Sequence, residues 1–129
     1  MGDNLINPEL RNTRQKQIFK WCKSCFGKGA INHKERVLRF LEESLELAQS
    51  LKLEKTDVLK LVDYVYARPL GVPTQEVGGV QIGLLALCEF LNISAQEAEN
   101  EEFTRILTVN PQHFIDKQNA KNKDGVTGC

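Results

Sequence analysis

At 129 residues with 41% hydrophobic side chains, the chain has the size and composition of one globular domain. Lysine plus arginine total 17 and aspartate plus glutamate total 17. With the charge balanced, no net positive field favours a polyanion, which argues against nucleic-acid binding. No apolar run approaches the roughly 20 residues needed to cross a bilayer, and Met1 to Pro8 lacks a signal-peptide pattern, so the expected location is the cytoplasm.

Residues 1–12 are polar and weakly periodic and read as a flexible arm. From Thr13 to Phe26, Ile18, Cys22 and Cys25 fall on one side of an amphipathic helix, which Gly27-Lys28-Gly29 ends. Asn32 followed by Glu35 has the spacing of a capping box, and periodic apolar residues run on to about Leu51. Leu38, Leu41, Leu45 and Ala48 form its stripe, marking this helix as central.

Thr56 is the expected cap of a helix to about Ala67. Pro69, Gly71 and Pro73 break it, and Thr74 is the expected restart. From Gln75 to Leu91 the residues are apolar nearly all round, the pattern of a buried helix and the second pillar of the core. Ser94 and Glu97 open a more polar helix to about Leu107. After Asn110-Pro111 the pattern weakens into a short helix ending near Asn119. No run of β-branched residues alternates strictly, so the fold class is all-α: a bundle of about five helices in a domain over residues 13–116, followed by a polar tail over 117–129.

The chemistry-bearing residues are acidic. A helix advances about 100° per residue, so Glu43 and Glu46 project side by side, with Glu42 flanking Glu46. Carboxylates at this spacing suit a hard cation, and no lysine or arginine follows four residues after any of the three. On spacing alone, the ordinary reading is a solvated helix face. Glu76 heads a ridge of Gly79, Gly83 and Ala86, small residues that suit either close helix packing or ligand access.

Glu43-Ser44-Leu45-Glu46 on one helix and Glu76-Val77-Gly78-Gly79 on a later one resemble the two-part signature of the all-α nucleoside triphosphate pyrophosphohydrolases. Cys25-Phe26-Gly27, Glu35 to Gln49, Leu61 to Gly71 and Gln75 to Cys88 look especially like the MazG-like proteins of phages and prophages, and about half of the chain takes part. The resemblance implies Mg2+ held by Glu43, Glu46 and Glu76, a nucleoside triphosphate substrate, and products monophosphate and pyrophosphate. It also implies a homodimer or homotetramer that completes the fold. The pattern's fourth ligand falls at Gly79, which leaves three alternatives: a water, a nearby acid such as Asp63 or Glu42, or a nucleotide-binding or helical interaction module without efficient turnover.

Trp21-Cys22-Lys23-Ser24-Cys25 has the look of a thioredoxin motif but sits near a helix C-terminus, where the dipole opposes a thiolate. Zinc on Cys22, Cys25 and His33 would need Cys88 or His113 to approach, and the paired ligand spacing is missing. Lys28, Arg36, Arg39 and Arg68 are candidates for phosphate contact, their ordinary role being solubility.

Overall fold

In a computed structural model that describes residues 8–126, the helical class is as expected. Among the described residues there are six α-helices and no strand: α1 (Pro8–Phe26), α2 (His33–Ser50), α3 (Lys55–Tyr66), α4 (Pro73–Leu91), α5 (Ala95–Thr108) and α6 (Pro111–Lys123). A 3-10 turn over Gly27–Ile31 separates α1 from α2. Much of the expected N-terminal arm, residues 1–7, and the end of the expected tail, residues 127–129, lie outside the described residues.

The helix boundaries follow local chemistry. Helix α1 begins five residues earlier than the periodicity suggests, because Pro8 has its φ preset for a first turn and Glu9 favours the positive helix end. It stops at Phe26, where Gly27 adopts φ +54, a left-handed conformation suited to glycine. At α2 the N-cap half of the box forms, with the Glu35 N–H donating to Asn32 Oδ1 at 2.8 Å, while the Asn32 N–H donates to the Gly29 carbonyl at 3.3 Å. The N-cap bond at α5 forms as well: the Glu97 N–H donates to Ser94 Oγ at 3.1 Å.

Two expected caps are displaced. Thr56 lies inside α3, which starts at Lys55 behind Glu54 without a side-chain cap. Thr74 lies inside α4, because Pro73 takes the first helical position. Helix α6 is longer than the sequence pattern indicates. Asn110 Oδ1 accepts the Gln112 N–H at 2.9 Å, Pro111 sets the first turn, and the helix continues into the expected polar tail.

The chain divides into two compact units, residues 1–43 with 105–129, and residues 44–104. In the first, α1 packs against the 3-10 turn and α6. Cys22, Cys25 and Ala30 form its buried apolar centre. Trp21 meets Phe114 edge-on at 5.1 Å and Phe26 at 6.0 Å, geometries that aromatic quadrupoles favour. The carboxylate-bearing side chain of Glu35 is 1% exposed and forms an ion pair with Arg39, Oε1 to Nε 2.9 Å. Arg39 also holds Glu42 at 2.7 Å, and Lys121 of α6 holds the other Glu42 oxygen at 2.7 Å. This chain of alternating charge ties α2 to α6.

The second unit contrasts with the first. It contains the end of α2 with α3, α4 and most of α5, and none of its described residues is buried. No two of its helices pack closely along their lengths. The expectation that α4 is a buried pillar is therefore corrected for the single chain: Ile82 is 69% and Phe90 85% exposed. Hydropathy identifies a surface that must leave water, and nothing in this unit covers it.

The Asn32→Ala variant removes the α2 cap, and urea denaturation should show a loss of about 1 kcal/mol. An unchanged midpoint would mean that the capping bond carries no stability.

Candidate functional site

Glu43 and Glu46 occupy consecutive turns of α2, and Glu76 occupies the first turn of α4. Placement in that turn is itself favourable, since the helix N-terminus stabilises a carboxylate. The Glu76 side chain lies back against Gly71, and a Cβ at position 71 would collide with its carboxylate. Glycine at 71 is thus a steric requirement of this Glu76 conformation, and the Pro-Leu-Gly-Val-Pro break before α4 supplies it.

The acids differ in their partners. Both Glu42 oxygens are engaged, by Arg39 and by Lys121. Glu46 and Glu76 form no ion pair or hydrogen bond among the described residues. Glu43 has partners of its own. Counting cations four residues downstream misses the neutralisation of Glu42, because Arg39 precedes it and Lys121 lies 79 residues away. Asp63 sits in the last turn of α3, where its carbonyl accepts the Ala67 N–H.

Among the described residues, no group of three or more His, Cys, Asp or Glu side chains converges on a point where a metal ion would bind. Oxygen donors of this kind match the preference of magnesium.

The ridge below Glu76 is open. A Cβ added at Gly78, Gly79 or Gly83 would meet nothing within 4 Å. Close packing within the second unit therefore does not explain those glycines, each of which costs a helix about 1 kcal/mol relative to alanine.

Cys22, Cys25 and Cys88 are free thiols. Burial pushes the Cys22 thiol above its ordinary value of 9.0, the nearby Arg36 charge pulls against this, the neighbouring Cys25 raises it further, and a hydrogen bond from Arg36 lowers it. The net direction is upward, opposite to that of an activated nucleophile.

No single described helix is long and apolar enough to cross a membrane; α4 and α5 meet that test only as a pair bent by 104°. No family model, curated protein or solved structure matches the chain.

A thiol held neutral by burial stabilises the fold fully below its ordinary range, and this contribution erodes as pH rises past 9.0. Iodoacetamide at pH 8, with labelled sites mapped by mass spectrometry, should therefore modify Cys22 more slowly than an unfolded cysteine peptide. Equal or faster labelling would contradict the burial argument.

Proposed function

We propose that this protein is a magnesium-dependent nucleoside triphosphate pyrophosphohydrolase of the MazG-like kind, releasing nucleoside monophosphate and pyrophosphate. Its acidic residues would be Glu43, Glu46 and Glu76, brought together in a homo-oligomer whose second copy covers α3 and α4. The observation that carries this reading is that, among the described residues, Glu46 and Glu76 have no cationic partner, while neighbouring Glu42 has both oxygens taken. Exposed carboxylates are ordinary, but two without partners at the positions of a two-part acidic signature support a common role.

The surface of the second unit supports assembly. Leu61, Val65, Val80, Ile82 and Leu85 are all exposed, on helices whose sequence is that of a core. A second copy of the same chain supplies a matching apolar face by symmetry. The open ridge of Gly78, Gly79 and Gly83 would then accommodate a close approach of the partner or of substrate.

In this reading Glu43 and Glu46 offer oxygen ligands from adjacent turns of a rigid helix, and Glu76 offers a third from the start of α4. A divalent ion held there would screen the triphosphate and favour ionisation of a water. Water adds at the α-phosphorus, the bond to the bridging oxygen breaks, and pyrophosphate leaves. The protein's own contribution is positioning and preorganised charge. A second reading, a nucleotide-binding or helical interaction module without efficient turnover, rests on Gly79 at the position of the fourth acid.

Pyrophosphate release from a panel of ribo- and deoxynucleoside triphosphates with magnesium tests the proposal. The expected result is turnover of at least one substrate, reduced about 100-fold or more in Glu43→Gln. Magnesium-dependent thermal stabilisation by nucleotide without release would favour the second reading. Release unaffected by Glu43→Gln would remove catalysis from these residues. Since the space around position 79 is open, Gly79→Asp should fold and raise turnover if the fourth acid limits it.

A further inference from the structure

A net charge of zero conceals a division between the two compact units. Residues 1–43 with 105–129 hold thirteen lysines and arginines against seven acids, a net charge of +6, while residues 44–104 hold four against ten, a net charge of −6. Residues 10–34 carry seven of the cations and no aspartate or glutamate. A balanced total therefore does not describe the field at the surface of the first unit. We infer that the solvent face of α1 binds the phosphate backbone of a nucleic acid without regard to base sequence. The inference does not depend on the pyrophosphohydrolase reading and uses none of its acidic residues.

The basic row follows from helical register. At about 100° per residue, Lys16, Lys20 and Lys23 fall within about 60° of one another around α1. Cys22 and Cys25, which are buried, lie on the opposite side. Packing of that side in the first unit turns the lysines outward, and all three are exposed. Lys28 in the 3-10 turn and Lys34 in the first turn of α2 are exposed as well.

Little in the unit neutralises this row. Among the described residues, Lys16, Lys20, Lys28 and Lys34 form no ion pair. Lys23 Nζ lies 5.2 Å from the Phe19 ring centre, a contact that orients the ammonium and leaves its charge uncancelled. Glu9 is the single acid of α1 and precedes Lys16 by two turns. Glu35 and Glu42, by contrast, are engaged by Arg39 and Lys121.

Screening makes the local charge decisive. The Debye length is about 8 Å at physiological ionic strength, so a strand on α1 responds to the charges beside it rather than to the total. The row from Lys16 to Lys23 spans about 10 Å of helix axis. A duplex strand carries a phosphate about every 3.4 Å of its axis, so about three phosphates can face three lysines. An anionic lipid surface is a poorer match, because an interfacial helix needs a broad apolar face toward the bilayer. The large apolar side chains exposed on α1 are Leu10 and Phe19 alone.

Fluorescence anisotropy of a labelled 20-nucleotide probe, single-stranded in one arm and duplex in the other, tests the inference with the full chain in EDTA over a series of KCl concentrations. Saturable binding that weakens with salt is expected. Replacing the row by Lys16→Gln, Lys20→Gln and Lys23→Gln together should weaken binding at least about tenfold at 50 mM KCl and lower the slope of log affinity against log salt by about 2 for the single strand. Replacing Lys52, Lys55 and Lys60 by glutamine removes the same charge from the acidic unit and should leave the slope unchanged. If the triple α1 variant loses its helical circular dichroism, Lys20→Gln alone should lower the slope by about 0.7. No binding to either probe, or an unchanged slope in the folded α1 variant, overturns the inference. Equal binding to polyglutamate, or capture by phosphatidylserine vesicles in preference to the probes, would also overturn it, assigning the row to an acidic protein or to a lipid surface.

Discussion

The apolar surface of α4 has to leave water, and this constraint governs the second unit. Full burial of one large aliphatic or aromatic side chain is worth about 1.5–3 kcal/mol. Val80, Ile82, Leu84, Leu85 and Phe90 are all exposed on this one helix. Together they represent free energy comparable to the roughly 5–15 kcal/mol that holds a whole domain folded. A helix of this composition at the surface of an isolated chain would make it prone to association, and the proposed homo-oligomer satisfies the same demand in an ordered way. The proposed site follows from this, because Glu76 stands at the head of the helix whose covering would fix its surroundings.

The first unit meets its requirements internally and by different means. Asn32 starts α2, Glu35 is sealed from solvent against Arg39, and the sequence of charges continues through Glu42 to Lys121 on α6. Trp21 holds Phe26 and Phe114 by edge contacts. Breaking such a network by removing one member leaves a charge without its counter-ion in a poorly solvated place, which is far costlier than losing a surface pair. Arg36 is the cation that this network does not balance.

Local structure was largely legible in the sequence. Gly27, the proline-rich break before α4 and the N-caps Asn32 and Ser94 each specify a helix end through nearest-neighbour chemistry, and each is realised. Thr56 and Thr74 failed as caps for an equally local reason: at α4 the preset φ of Pro73 prevails, and α3 begins ahead of Thr56. Contacts distant in sequence were not legible. The Lys121 partner of Glu42 comes from a segment that reads as a weak helix and polar tail. Apolar periodicity shows that α4 must be covered but carries no record of what covers it. For the same reason, the spacing of Glu43 and Glu46 is readable while the proposed meeting with Glu76 is not.

The central claim is that a second copy of the chain covers α3 and α4, and sedimentation equilibrium of the full chain tests it most directly. The account predicts a mass that is a whole multiple of 14.6 kDa, shifting toward 14.6 kDa when Ile82→Asp places a charge in the contact. A wild-type protein that sediments as a stable 14.6 kDa species across the micromolar range would contradict it.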